Sequence, residues 1–265
     1  MDTRQYINDV IDKGDEGSDL LNARCAPTLQ NGDLVDIIET GNESFPVLRI
    51  PEGYDVVVCS AAGDDVKDMR KHTISMVRNL ESYMKSVGAQ PVGMANVVDS
   101  ETADLELISL IGETVAEGCD DIDVPNLNGE NARLGHLVNM DANVMGTMIG
   151  IVKSGKLPPR FVRDHVNFSA FTPDNAVWIN SDGIGTKSEL HVRAGRVEYG
   201  LYDWIAMLVD DTIKKGAIPR VASGIFEQRG RLQMHPVYEL ADQMSRELGF
   251  DVMFDPVRVP RRIMG

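Results

Sequence analysis

The sequence is poor in cysteine, in aromatic residues and in long apolar runs. Its 265 residues include three cysteines, Cys25, Cys59 and Cys119, and 6% aromatic residues. The cysteines are odd in number and widely spaced, so we expect reduced thiols and neither a disulfide framework nor a zinc site. No apolar run approaches the ~20 residues that a membrane-spanning helix needs, and the polar, acidic first residues predict no signal or transit peptide. These scarcities favour a cytoplasmic protein with no membrane partner.

The sequence also has fewer positively charged than negatively charged residues. Lys and Arg number 26 against 41 Asp and Glu, which gives a formal net charge of −15. A surface this acidic repels phosphate backbones, so the charge argues against nucleic acid as a partner. A nucleotide is compatible with this charge, because it needs only a local site and usually brings a magnesium ion. The 43% hydrophobic and 25% charged residues are typical of a globular protein of one large domain or two small ones.

Hydrophobic periodicity predicts two successive runs of strands and helices. Residues 1–45 are acidic and contain scattered Gly, Asn and Asp, so we expect an extended arm. The first run alternates strands and helices at 54–60, 73–87, 90–99, 105–119 and 122–127, then has a loop at 128–131 and a buried strand at 144–152. A proline-containing linker at 158–175 follows. The second run places strands and helices at 176–180, 201–215, 221–227, 237–248 and 251–257.

The likeness of the two runs predicts an internal repeat. Gly88-Ala-Gln-Pro91 and Gly216-Ala-Ile-Pro219 each follow an amphipathic helix and precede a strand, at an offset of 216 − 88 = 128 residues. Chance similarity of two strand–helix units is the alternative. We therefore divide the chain into an arm at 1–45, a first repeat at 46–157, a linker at 158–175 and a second repeat at 176–265. The second repeat contains no counterpart of the strand at 144–152.

The strongest local signal is an Asp-Gly-Ile-Gly-Thr-Lys segment between a predicted strand and a predicted helix. Gly183 and Gly185 permit a tight turn and a close approach of the backbone to a ligand, and N–H groups in such turns bind anions. Thr186 offers a hydroxyl and Lys187 a positive charge to a phosphate, and Asp182 offers a carboxylate to a magnesium ion. An ordinary strand-to-helix turn is the alternative explanation.

The predicted helix at 201–215 adds a carboxylate. Its apolar stripe includes Leu201, Trp204 and Leu208, and Asp211 lies at the edge of that stripe. A carboxylate at this edge can point past the core into a pocket. A solvated Asp on an acidic protein is the alternative.

Several segments occur in an order that characterises a known family. The first three are the 182–187 segment, Asp203-Trp-Ile-Ala-Met-Leu-Val-Asp-Asp211 and Lys215-Gly-Ala-Ile-Pro219. This order resembles the first half of the ATP-binding domain of the PurM-like superfamily, to which aminoimidazole ribonucleotide (AIR) synthetase belongs. Three further segments resemble the second half of that domain. They are Gly112-Glu-Thr-Val-Ala-Glu-Gly118, Asn128-Gly-Glu-Asn-Ala132 and the run from Asp141 to Ser154. Together the segments span most of residues 54–260.

The resemblance implies an ATP-dependent enzyme. It places Asp182, Gly183, Gly185, Thr186 and Lys187 around ATP, Asp182, Asp211 and Glu130 around Mg²⁺, and makes Lys187, Asp211 and Glu130 the catalytic residues. Family enzymes use ATP to activate an oxygen of a small substrate, so these groups would neutralise charge on the transferred phosphoryl group. The implied activity is that of phosphoribosylformylglycinamidine cyclo-ligase, or AIR synthetase, in purine biosynthesis.

The motifs are split between the two predicted repeats. The first repeat has Ala62-Gly-Asp-Asp-Val-Lys67 where the Gly-Thr-Lys loop would stand, and Tyr83 in the place of Asp211. The second repeat has the loop but lacks the element that contains Glu130. The family's C-terminal domain is absent from these residues, so a second protein chain would supply it. The alternative is a non-catalytic protein that keeps the fold as a structural or assembly subunit, or as a nucleotide-binding regulator.

The resemblance also implies the architecture, an α+β fold. We expect mixed or mainly antiparallel sheets that form a barrel-like core flanked by helices, with the arm outside. Family enzymes pair their ATP domains through a shared barrel. We therefore expect either tandem copies that build it within one chain or a homo- or hetero-oligomer. An enzyme should bring Glu130 and Asp211 to one phosphate site, whereas a structural protein need not.

Overall fold

The computed structural model describes residues 16–40, 43–64, 67–102, 104–134, 141–184, 187–228 and 235–258. The helices are α1 (residues 16–25), α2 (Met69–Ser86), α3 (Leu105–Asp121), α4 (Lys187–Arg193), α5 (Tyr199–Lys214) and α6 (His235–Leu248), with a 3-10 helix at Ala26–Asn31. The strands are β1 (Val35–Thr40), β2 (Glu43–Arg49), β3 (Tyr54–Ala62), β4 (Gln90–Ser100), β5 (Asn126–Arg133), β6 (Ala142–Lys153), β7 (Arg160–Arg163), β8 (Val166–Phe171), β9 (Ala176–Val177), β10 (Val221–Gln228) and β11 (Asp251–Arg258).

A six-stranded mixed sheet, in the order β5-β4-β6-β3-β8-β7, is the centre of the fold. β4 and β5 are parallel, and the other neighbours are antiparallel. One face of the sheet packs against α2 and α3, whose side chains Met76, Leu80 and Ile111 are fully buried. Asp68 caps the N-terminus of α2: its side chain accepts a hydrogen bond from the Lys71 N–H at 3.1 Å and satisfies one of the free donors of the first turn.

A second layer of strands covers the other face of this sheet. β10 and β11 pair in parallel and pack on β3 and β8, where the hydroxyl oxygens of Ser60 and Ser223 lie 2.7 Å apart. The sheet β1-β2-β9 covers the same face, and Leu48 of β2 shares an apolar core with Val58 and Ile149. α5 and α6 pack on the outer side of β10 and β11. The described strands thus form two facing layers between helices and do not close into the predicted barrel.

The structure corrects three predictions about irregular segments. The predicted linker at 158–175 contains β7 and β8, which turn through Asp164 and His165 at positive φ angles and extend the central sheet. The predicted arm contains α1 and β1, and β1 with β2 contributes to the second layer. The predicted loop at 128–131 lies within β5, because parallel pairing with β4 satisfies its backbone hydrogen bonds.

The segments with strong periodicity form as predicted. α2, α3, α5 and α6 match the predicted helices to within a few residues, and β6 contains the predicted buried strand at 144–152. The order helix, strand, helix, strand, with the two strands parallel, occurs at α2-β4-α3-β5 and again at α5-β10-α6-β11. The tandem repeat itself stays a prediction. No helix in the described residues is long and apolar enough to cross a membrane.

The contact between β6 and α2 gives a test of this packing. A Cβ added to Gly146 would lie 2.4 Å from Sδ of Met76 and 2.8 Å from Cδ1 of Leu80. We expect Gly146→Ala to lower the free energy of unfolding by about 1–3 kcal/mol through overpacking. We expect Met76→Ala to lower it by about 2–5 kcal/mol by leaving a cavity. The truncated methionine makes room for the new methyl group. The free energy of unfolding of the double variant should therefore fall by about 1 kcal/mol less than the sum of the two single-variant losses.

Urea unfolding followed by circular dichroism measures these free energies. The matched control pairs Met76→Ala with Gly112→Ala, since a Cβ on Gly112 would meet Arg24 and Leu21 instead. The control pair should be additive. Additive losses for Gly146→Ala with Met76→Ala would contradict the described contact.

Candidate functional site

A line of hydrogen-bonded side chains joins β5 to α5 across the two layers. Nδ2 of Asn128 donates to Oδ1 of Asn180 at 3.2 Å, and Nδ2 of Asn180 donates to Oδ2 of Asp211 at 3.3 Å. Lys214 donates to the other carboxylate oxygen of Asp211 at 3.0 Å. The line therefore connects a residue of the Asn128-Gly-Glu-Asn motif with the acidic residue of the α5 motif, although the two lie in different halves of the chain.

Asp182 faces the same region as Asp211. Burial raises the pKa of Asp182 above its usual range, the Gly183 N–H that donates to its Oδ1 at 2.7 Å lowers the pKa, and the charge of Asp211 raises it again. The two carboxylates are partly buried and repel each other, so a cation bound between them would relieve the repulsion. Mg²⁺ prefers carboxylate oxygens as ligands. Asp182 and Asp211 are therefore a pair of carboxylates that could hold Mg²⁺.

The turn that follows Asp182 has room for a ligand. A Cβ added to Gly183 would meet no atom of the described residues within 4 Å. The hydroxyl oxygen of Ser181 is buried and has no hydrogen-bond partner among the described residues. A ligand with a polar edge would satisfy that hydroxyl. Gly185 and Thr186 lie outside the described residues, and their predicted contacts with ATP stay predictions.

Lys187, the predicted phosphate ligand, is the first residue of α4 and is half exposed. Its Nζ lies 3.8 Å from Oδ2 of Asp203 on α5, and Nε2 of His191 lies 2.8 Å from the same oxygen. The charge of Lys187 also lowers the pKa of Asp182, so the two groups act on one region. The Lys187–Asp203 ion pair is long and exposed, so Lys187 can leave Asp203 and bind a phosphate with little loss of free energy.

Glu130 lies on β5 with a different neighbour. It stands in register with Val97 of β4, and the Ser18 hydroxyl of α1 donates to its carboxylate at 3.0 Å. Among the described residues, no group of three or more His, Cys, Asp or Glu side chains is placed to hold a metal ion. The predicted three-carboxylate site of Asp182, Asp211 and Glu130 is therefore not assembled there, and the role of Glu130 as a ligand stays a prediction.

A cavity of about 720 Å³ opens beside Asp182, between the two strand layers and α5. Its floor is one face of the central sheet, with Val97 and Met145, and its roof is α5, with Trp204 and Leu208. Most of the floor and roof is therefore apolar. Apolar walls with a few polar groups at one side are typical of sites for small molecules and peptides.

Asp99 and Asn143 make one part of the cavity floor polar. They are directly opposite each other on β4 and β6, and both residues line the cavity, where Oδ1 of Asn143 also lies 2.8 Å from Nε2 of His72 on α2. Burial raises the pKa of Asp99 to about 7, so below neutral pH most of this carboxyl is protonated and can donate a hydrogen bond as well as accept one. Sequence analysis missed Asp99, Asn143 and Asn180. The alternation of side chains along β4 and β6 places the first two on one face, but only the pairing of the strands makes them neighbours.

The chain matches one family model, described as AIR synthase related protein, N-terminal domain, over residues 45–152. Residues 45–152 are therefore similar to the N-terminal domain of AIR synthase related proteins. The matched residues extend from β2 to β6 and include Asn128 and Glu130. The resemblance predicted from the sequence is confirmed for this part of the chain. The 182–187 segment, α5 and Asp211 lie outside the matched residues.

Three of the solved structures that match part of this chain are the following proteins. Thiamine-monophosphate kinase from Stenotrophomonas maltophilia K279a is 18% identical, with 51% of this chain and 42% of that chain covered and a TM-score of 0.41. T. maritima PurL complexed with ATP is 24% identical, with 44% and 21% covered and a TM-score of 0.32. Hydrogenase maturation protein HypE in complex with ATP is 16% identical, with 50% and 37% covered and a TM-score of 0.35.

The match to each of these structures covers less than half of its length. No curated protein matches the chain. These comparisons therefore establish a similarity to the N-terminal domain of AIR synthase related proteins, over residues 45–152.

The carboxyl of Asp99 in this domain predicts a pH effect on stability. With a folded pKa of about 7 and an unfolded pKa near 3.9, the folded state holds the proton over a range in which the unfolded state has lost it. Stability therefore falls as pH rises from about 4 to about 7. The Asp99→Asn substitution removes this ionisation. The free energy of unfolding of the variant, compared with that of wild type, should therefore be higher at pH 8 than at pH 4, by about 4 kcal/mol.

Urea unfolding of wild type and variant at pH 4 and pH 8 measures the difference. Asp33→Asn, at an exposed carboxylate in the turn before β1, is the matched control and should show the same effect at both pH values. If Asp99→Asn changes the free energy of unfolding by the same amount at pH 4 and pH 8, the raised pKa of Asp99 is contradicted.

Proposed function

We propose that this chain binds ATP with Mg²⁺ at the 182–187 segment and uses it in a phosphoryl-transfer reaction. The specific assignment we propose is AIR synthetase, or phosphoribosylformylglycinamidine cyclo-ligase, in purine biosynthesis. The observation that carries the proposal is the line from Asn128 through Asn180 to Asp211. It unites a residue of the AIR synthase related domain with the acidic pair of the second half, as a single phosphate site requires.

The proposed roles follow from charge and position. Asp182 and Asp211 hold Mg²⁺, with phosphate oxygens and water as its remaining ligands. Lys187 gives up its pairing with Asp203 and offsets the charge of the terminal phosphate. Gly185 and Thr186 contribute the turn and a hydroxyl to the phosphate contacts.

The proposed reaction starts with an oxygen of a small substrate, which attacks the terminal phosphorus. The bond from that phosphorus to the bridging oxygen breaks, and ADP leaves with the electron pair. Glu130 joins this site when its carboxylate leaves the Ser18 hydroxyl. The matched family is that of an N-terminal domain. We therefore propose that a second protein chain provides the substrate-binding domain in a homo- or hetero-oligomer.

A second candidate function is a non-catalytic structural subunit. It is favoured by the Ser18–Glu130 hydrogen bond, which holds a predicted catalytic carboxylate at α1. The two functions differ in one measurable property, because a structural subunit has no need for MgATP.

Isothermal titration of MgATP into wild type and Lys187→Ala tests the proposal. We expect wild type to bind, and Lys187→Ala to bind at least tenfold more weakly, about 1.4 kcal/mol, because it loses a charge at the phosphates. Lys85→Ala is the matched control, since Lys85 lies on α2 at the other side of the central sheet and pairs with Glu81. Absence of heat and of a thermal shift at millimolar nucleotide would overturn the ATP site and favour the structural function.

A further inference from the structure

Two helices in the second half of the chain meet at one carboxylate. α4 packs against α5, and Asp203 of α5 is paired with both Lys187 and His191 of α4. Lys187 and His191 are four residues apart, so they are neighbours on one face of α4. Nε2 of His191 lies 2.8 Å from Oδ2 of Asp203, and Nζ of Lys187 lies 3.8 Å from the same oxygen. One carboxylate oxygen therefore has two basic partners.

The two partners are bound to this oxygen with different strength. The distance from His191 is that of a full hydrogen bond, and the Nε2–H donates because an ionised carboxylate only accepts. The distance from Lys187 is that of an ion pair without a hydrogen bond. The His191 side chain is also the more buried of the two, at 19% exposed against 47% for Lys187. Asp203 therefore keeps a close partner when Lys187 moves away.

The present position of Lys187 is at a distance from the proposed phosphate site. Its Nζ lies 3.6 Å from Sδ of Met207, so the side chain lies along α5 against Asp203 and Met207. Asp211 is eight residues after Asp203, which is about 12 Å along the helix axis. Burial raises the pKa of Asp182 and the charge of Lys187 lowers it, so this charge still acts on the acidic region. Lys187 would reach a phosphate there by moving along α5, away from Asp203.

Histidine is the member of this group that changes charge near neutral pH. Among side chains with ordinary pKa values, only histidine titrates between pH 5 and pH 8. The charged groups in contact with His191 or with its partner oxygen are Asp203 and Lys187. The other charged side chains that the structure describes on α4 and in the turn before α5 are Arg193, Arg196 and Glu198. Arg196 and Glu198 pair with each other at 3.0 Å, so Asp203 and Lys187 are the groups that respond to a proton on His191.

We propose that Asp203 and His191 are positioning residues of the nucleotide site, which hold Lys187 away from the phosphates and release it when His191 gains a proton. A protonated His191 neutralises Asp203 and repels Lys187, because the two cations stand one helical turn apart. A neutral His191 leaves the charge of Asp203 available to Lys187. This inference rests on the proposed function, since the released Lys187 is the one that binds the phosphates of MgATP. It makes nucleotide binding stronger as the pH falls from 8 to 6.

The position of Lys187 can be followed without any nucleotide. Reductive methylation with carbon-13 formaldehyde adds two methyl groups to each lysine amine and keeps its charge. The signal of Lys187 is the one that is missing from the spectrum of Lys187→Arg. In wild type we expect the shift of this signal to change between pH 8 and pH 6, with a midpoint in the range typical of histidine. In His191→Gln, which keeps a donor for Asp203 but gains no proton, this change should be absent.

His235→Gln is the matched control. His235 of α6 is also paired with a carboxylate, because its Nδ1 lies 3.4 Å from Oε2 of Glu239. The Lys187 signal of His235→Gln should therefore change with pH as it does in wild type. If His191→Gln does not fold by circular dichroism, Asp203→Asn takes its place. Without the shared carboxylate Lys187 has no pairing to lose, so the pH-dependent change of its signal should again be absent.

Isothermal titration of MgATP at pH 6 and pH 8 measures the consequence for the nucleotide. From pH 8 to pH 6, the affinity of wild type should rise about threefold relative to that of His191→Gln, which is within the range of an exposed ion pair. Comparison of the two proteins at each pH removes the effect of protonation of the nucleotide itself.

The two measurements separate this inference from the proposed function. A Lys187 signal that stays constant between pH 8 and pH 6, or that changes equally in His191→Gln, would overturn the positioning role, whether or not MgATP binds. The same pH dependence of MgATP binding in wild type and His191→Gln would also overturn it. A Lys187 signal that changes only when His191 is present, in a protein that binds no MgATP, would support the release of Lys187 and overturn the proposed function.

Discussion

The face-to-face packing of the two strand layers is the contact on which the other features depend. Val58 and Ile149 of the central sheet share an apolar core with Met253 of the second layer, and Val221 packs against it. This contact buries the second face of the central sheet, so β3 and β6 are covered on both sides and have nearly continuous apolar sequences. The same packing brings β5 and α5 close enough for the Asn180 side chain to form hydrogen bonds with Asn128 of β5 and Asp211 of α5. The site and the cavity are consequences of the same packing.

The parts of the fold with a strong local signal could be predicted from the sequence. α2 and α5 have apolar residues at helical spacing, and β6 is an apolar run with small residues. β5 could not be predicted in full, because Asn126–Arg133 is mostly polar and forms a strand only where β4 provides a pairing edge. β7 and β8 are short and flanked by prolines, and they form because β3 has a free edge for β8. Local propensity contains no information about such partners.

In the candidate site, the sequence indicated the acidic residues Asp182 and Asp211. It did not indicate the hydrogen bonds through Asn180 that connect Asp211 to Asn128. Asp182 follows from the glycines beside it, and Asp211 from its place at the edge of the α5 stripe. Asn180 has no comparable pattern, since its partner Asn128 lies 52 positions away in the sequence. Asp99 is similar, because its raised pKa depends on burial in the folded protein. Both residues acquire their properties from long-range packing, which a single sequence does not display.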